Sequence, residues 1–168
     1  AKIAGGVLVL DGRIAFARSV PLTKSLRAKT LEAWVQLNNL NQRGGGVISL
    51  QSRNGVLFDA IVFGEQQPGH WMAGSNNFKR TRSMNGSAEK EAMKRPVHVA
   101  IVYQADGTII GYRDGKPYGS PYKMGLQPFS AGDSEVIFGL RHGTGAGNGR
   151  MLVGKVMKAR LYDRALEP

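Results

Sequence analysis

A chain of 168 residues with 42% hydrophobic side chains has enough apolar material to bury a core, which excludes a disordered polymer. It contains no Cys, so disulfide frameworks, thiolate nucleophiles and cysteine metal sites are excluded. A formal net charge of +11 favours anionic partners such as acidic polysaccharide, nucleic acid, an anionic membrane or an acidic protein, and it also serves solubility alone.

In chain order, the first clear element is Leu31–Leu37. Leu31, Ala33, Val35 and Leu37 alternate with Glu32, Trp34 and Gln36, the period of a half-buried strand. The glycines 44–46 read as a turn into a strand over 47–51. Asn54-Gly55 is the signal for a type I′ turn opening a strand over 56–63. A strand over 97–103 is apolar on both faces, as expected between two layers. Asp106-Gly107 then leads into a strand over 108–113, and Asp114-Gly115 into one over 116–118, which makes a meander. Further strands are expected over 135–139 and 153–162. The best helical candidate is Ser87–Lys94, two turns at most, with Ser87 as N-cap. The glycine-rich run 143–149 reads as a hairpin tip. Many short strands joined by tight turns predict an all-β fold, an antiparallel two-sheet jelly-roll sandwich. No internal repeat or linker divides residues 1–168, and no apolar run approaches the ~18 residues needed to cross a membrane. The chain opens at Ala1 without Met and reads as a segment of a longer protein.

Several stretches carry a family resemblance: Leu10-Asp11-Gly12, the run Thr30–Leu37, the run His98–Gly119 and the run Gly154–Leu166. Together they resemble the bacterial laminin-G-like modules of the concanavalin-A-like lectin/glucanase superfamily. The resemblance implies a sandwich of that type, an extracellular or periplasmic setting and a place within a larger multidomain protein. This chain departs from the family at two points. Pro96-Val97 stand where Trp-His is usual, leaving only His98, and Met157-Lys158 replace an acidic pair. The second departure removes carboxylates from a family often assigned calcium, so no cofactor and no tight calcium site are expected.

The superfamily includes glucanases, so hydrolytic chemistry is one expectation the residues can meet or fail. Glycoside hydrolysis needs two carboxyl groups facing one sugar, about 5–5.5 Å or about 6.5–9.5 Å apart. No Glu-x-Asp-x-x-Glu run exists. Asp59 and Glu65 would lie roughly 20 Å apart on an extended strand. His70, His98 and His142 share no metal-ligand spacing. No serine elbow or phosphate-binding loop is present. The reading is therefore no enzyme and no metal.

Candidate binding residues remain. Trp71, Asn76, Asn77 and His70 are the residue types of a sugar site, an aromatic platform with planar polar groups. The alternative is that Trp71 is a packed strand residue and the Asn side chains make turns. Asp59 sits among apolar neighbours and needs a cation, with Arg80, Arg113 and Arg141 available. It is either a structural ion pair or the floor of a site. Arg80 and Arg82 lead the basic segment 78–82, the best anion-binding candidate. Nucleic acid is disfavoured there because only Phe78 interleaves with the charge. Arg141-His142 form a second polar cluster at a loop base. His98 is expected to be a buried, hydrogen-bonded structural residue, and Trp34 to pack beneath a loop. Two functions follow: a non-catalytic carbohydrate-binding or adhesion module, with a glycan or acidic polysaccharide as partner, or a docking domain that contacts other parts of its parent protein. A hydrolase is the third.

Overall fold

A computed structural model describes residues 1–146 and 150–167. The strands are β1 (Lys2–Ala4), β2 (Val7–Asp11), β3 (Ala17–Arg18), β4 (Lys29–Leu37), β5 (Gly45–Ser52), β6 (Phe58–Phe63), β7 (Trp71–Ser75), β8 (Val97–Tyr103), β9 (Thr108–Arg113), β10 (Lys116–Pro117), β11 (Tyr122–Lys123), β12 (Ser134–Phe138) and β13 (Val153–Tyr162). They form two antiparallel sheets. The larger has eight strands in the order β1-β2-β13-β4-β8-β9-β10, with β11 also on β9; the smaller has five in the order β3-β12-β5-β6-β7.

Alternation along β4 explains the layering. Leu31, Ala33 and Val35 point inward and are fully buried, and they meet Ile48, Leu50, Ile61 and Phe63 of the smaller sheet in one apolar cluster. Val99 and Ile101 of β8 join them. Leu161, expected inside with these residues, is only partly buried and packs against the cluster; it lies at the end of β13, beside Leu22 and Leu26.

Local chemistry decides the details. Asp114 and Gly115 both adopt positive φ, 50° and 74°, so the two-residue mirror turn between β9 and β10 forms as its sequence requires. Asn54-Gly55 does not repeat it. Only Gly55 has positive φ, and residues 53–57 make a longer connection that leaves Val56 and Leu57 exposed. The glycines 45 and 46 lie within β5 rather than in a turn. A Cβ at Gly46 would collide with the backbone of Arg141, so strand glycine here permits another segment to lie on the sheet.

The expected helix at Ser87–Lys94 is a single turn. Glu89, not Ser87, caps it: its Oε1 accepts hydrogen bonds from the amides of Glu91 (2.7 Å) and Ala92 (3.0 Å). Among the described residues, no helix is long and apolar enough to cross a membrane.

Candidate functional site

Between β12 and β13, residues 139–143 and 150–152 lie against each other over the outer face of the smaller sheet. Leu140 bridges to Met151, and the Arg141 amide donates to the Arg150 carbonyl at 2.7 Å. Outward side chains of β5 fasten them. Ser49 Oγ donates to the Leu140 carbonyl (3.3 Å), and the Gln51 amide both accepts from and donates to the Gly143 backbone, at 2.9 and 3.1 Å. Gly147–Gly149, part of the run read as a hairpin tip, lie outside the described residues.

The part of this face left open, over β6 and β7, is a groove of about 690 Å³. Its floor is Phe58, on which the His142 ring stacks at 4.3 Å and 7°. One wall is Asn76, Asn77 and Phe78; another is Asn54, Gly55 and Val56; Glu65, Arg141 and Arg150 close it. Asn77 and Phe78 both hold left-handed backbone, φ 50° and 54°, a conformation that costs non-glycine residues energy and recurs at functional loops.

The polar groups are arranged for hydrogen bonding. Arg141 donates to Glu65 Oε1 at 2.6 Å, while Glu65 Oε2 and Arg141 Nε are buried without a partner among the described residues. Burial raises the Glu65 carboxyl above its ordinary value, and the Arg141 guanidinium only partly offsets that. Burial pushes the His142 imidazole down, helped by Arg150 and Arg141, so it is neutral at pH 7. Its Nδ1 lies 3.0 Å from the Gly55 carbonyl. A carbonyl only accepts, so Nδ1 carries the proton and Nε2 is left as an acceptor.

Of the candidate residues, Asn76, Asn77, Arg141 and His142 line this groove; Asp59, His70, Trp71, Arg80 and Arg82 do not. Trp71 is 1% exposed, packs on Phe63 and donates Nε1 to Glu89 at 2.8 Å, so it offers no platform to a sugar. His70 is half-buried, with Nδ1 2.7 Å from the Pro68 carbonyl. Asp59 faces inward between the sheets, where Arg80 Nε donates to it at 2.8 Å and the Lys29 ammonium lies at 2.9 Å. Arg80 is therefore buried and neutralised rather than part of an anion-binding patch; Arg82 alone of that pair is exposed. Arg113 and Arg141 are committed to Glu89 and Glu65. His98 is half-buried, with Nε2 3.0 Å from Glu32. Trp34 is not beneath a loop but on the outer face of the larger sheet, against His98. Phe58, Glu65, Asn54 and Arg150 went unread as site residues because they meet only where residues 141–143 and Arg150 lie over the sheet. The run of small residues at Gly45-Gly46 was the one signal of that.

Glu65 is the only carboxylate among the described residues lining the groove. Among the described residues no three His, Cys, Asp or Glu side chains converge to hold a metal.

A model of laminin G-type domains in the concanavalin A-like lectin/glucanases superfamily matches residues 11–168. The chain belongs to that family. None of the curated proteins matches this laminin G-like chain. Among solved structures it is similar to a heptameric SAP-like pentraxin from Limulus polyphemus, with TM-score 0.76 and 18% identity over 96% of this chain and 77% of that one. It is also similar to the CBM40 of a Ruminococcus gnavus sialidase bound to α2,3-sialyllactose, with TM-score 0.65 and 12% identity over 95% and 91% of the two chains. Domains LG4-5 of the mouse laminin α1 chain give TM-score 0.56 and 10% identity, over 98% of this chain and 44% of that one. At these identities the likeness speaks to the fold.

Proposed function

We propose that this laminin G-like domain is a non-catalytic glycan-binding module, working outside the cytoplasm, and that it binds through the groove on the smaller sheet. The observation that carries the reading is a polar lining around an aromatic floor. Asn54, Asn77, Arg141 and Arg150 line the groove, and His142 presents an acceptor beside Phe58 and Phe78. A pyranose offers hydroxyls of both polarities and one apolar face, which is the complement of that set. The structural similarity to a sialyllactose-bound module supports the reading at the level of fold. A lone lining carboxylate paired with Arg141 favours binding over hydrolysis, which uses two facing carboxyl groups.

The test is a glycan array spanning neutral, uronic-acid and sialic-acid termini, followed by titration of the best ligand. Asn77→Gly removes the amide yet suits the φ of 50°. It should weaken binding about fivefold, the value of one neutral hydrogen bond, without lowering the melting temperature. An array with no saturable ligand, or an Asn77→Gly protein that binds as the parent does, defeats the reading. The first of those results would leave the docking role.

A further inference from the structure

The opposite face of the molecule, the outside of the larger sheet, holds a row of cations set by strand register. On β4 the outward residues are Thr30, Glu32, Trp34 and Gln36, since Leu31, Ala33, Val35 and Leu37 are in the core. Lys155 pairs with Gln36 and, on its other side, with Val9, which pairs with Lys2. Lys158 pairs with Trp34 and Arg160 with Glu32. The register of β13 slips between Val156 and Lys158. Without that bulge, strict alternation would turn Met157 and Ala159 outward after Lys155; with it, Lys158 and Arg160 face out instead.

These cations are mostly unopposed. Exposed lysines elsewhere often meet a carboxylate: Lys24 with Asp163, Lys94 with Glu91, Lys123 with Asp106. Among the described residues Lys2, Lys155 and Lys158 form no such pair, while Arg160 donates to Glu32 at 2.8 Å. Trp34 props the row. The Lys158 ammonium lies 5.1 Å and the Arg160 guanidinium 5.4 Å from its ring centre, and the His98 ring lies tilted against it at 4.3 Å. Neighbouring strands place Lys2 and Lys155 about 10 Å apart, and β13 carries the row about 15 Å further to Arg160.

We propose that this face is a second binding surface, for a linear polyanionic glycan laid along β13. Charge complementarity names the ligand class, and a row that follows a strand suits an extended chain rather than a terminal sugar. Trp34 decides between polyanions. Its ring is already engaged by two cations and an imidazole, so it is not free to stack a base, as single-stranded nucleic acid would require. The inference stands independently of the groove.

The experiment titrates the protein with a size-fractionated heparin-type sulfated oligosaccharide across a salt series. Lys155→Gln/Lys158→Gln should weaken binding about five- to tenfold at low salt and make the dependence of log affinity on log salt shallower by about one to two. Lys79→Gln/Lys90→Gln, which removes two exposed lysines elsewhere, should change affinity by less than about twofold. The groove variant Asn77→Gly should bind the oligosaccharide as the parent does, and all three should melt with the parent. Equal losses in the two lysine pairs would reduce the effect to net charge and overturn the proposal. So would a parent that does not bind at low salt, or one that binds oligothymidylate of equal charge as tightly.

Discussion

Lys29, Asp59 and Arg80 put two positive charges and one negative into the core. Asp59 and Lys29 are fully buried and Arg80 is 5% exposed. Arg80 also donates to the Phe58 carbonyl (3.1 Å) and to Asn76 Oδ1 (2.9 Å). Lys29 donates to the carbonyls of Arg27 and Gln127, both at 3.1 Å, and lies 4.7 Å from the Tyr103 ring centre. Burial lowers the Lys29 ammonium's pKa below its ordinary value, with Asp59 pulling the other way. One positive charge is thus in excess, and the two ends of the cluster should respond differently to substitution. Asp59→Asn strands two buried cations and should cost about 3–5 kcal/mol, the loss seen when one partner of a buried pair is removed. Lys29→Met leaves the neutral Arg80–Asp59 pair in an apolar setting and should cost less than about 1 kcal/mol or stabilise. Denaturant melts of both variants test this. Comparable large losses would show that Lys29 is needed to hold Asp59 rather than being surplus to it.

The segment between β7 and β8, whose regular structure is limited to a 3-10 turn at Asn76–Phe78, shows how a long connection is held. Glu89 is its hub. Arg113 donates two hydrogen bonds to it, both 2.9 Å, Trp71 Nε1 a third, and the amides of Glu91 and Ala92 two more. Burial alone would raise the Glu89 carboxyl, but those donors overcome it and hold the pKa at about 2, against an ordinary 4.5. A carboxyl depressed by folding contributes stability above its unfolded value and loses it as pH falls through the folded one. The shift corresponds to something on the order of 3 kcal/mol at neutral pH. The stability gap between the parent and Glu89→Gln should therefore be widest at neutral pH and close between pH 4.5 and 2; a gap that persists to the acid end would mean Glu89 acts through shape alone. This hub also marks the boundary of what the sequence reveals. The strands at Leu31–Leu37, Val97–Tyr103 and Val153–Tyr162 are legible because alternation and turn residues are local. Trp71 stays open between a sugar platform and a packed strand residue, because the same side chain serves both; only the fold shows it on β7, buried against Phe63 and bonded to Glu89. Asp59 could be seen to need a cation, but Arg80 was named alongside Arg113 and Arg141 because only the fold selects among distant partners. The groove was half legible: Asn76, Asn77, Arg141 and His142 were candidates, whereas Phe58 and Glu65 reach it only because Arg141 and His142 lie over the sheet beside them.

Across the whole molecule, the distribution of acids matters more than their number. Five of the twelve, Glu32, Asp59, Glu65, Glu89 and Glu135, have side chains no more than 10% exposed and each meets a cation. Each of those pairs is close to neutral, so the net charge of +11 rests on the other cations, and it repels cations over a Debye length of about 8 Å at physiological salt. Calcium takes six to eight oxygen ligands, with carboxylates prominent. The remaining acids are dispersed: Asp114 serves Arg95 and Arg113, Asp106 serves Lys123 and Thr108, and Asp11 caps the turn at residues 13–15. Met157-Lys158 adds no carboxylate to the outer face of the larger sheet. We accordingly expect this domain to fold and to bind glycan without calcium. Excess chelator should leave its melting temperature within about 1 °C of the untreated protein, since a ligand that binds the native state raises stability only when it is bound. Glycan titrations with and without calcium should superimpose. A fall of several degrees on chelation, or affinity restored by calcium alone, would reveal a site assembled from carbonyl oxygens rather than carboxylates.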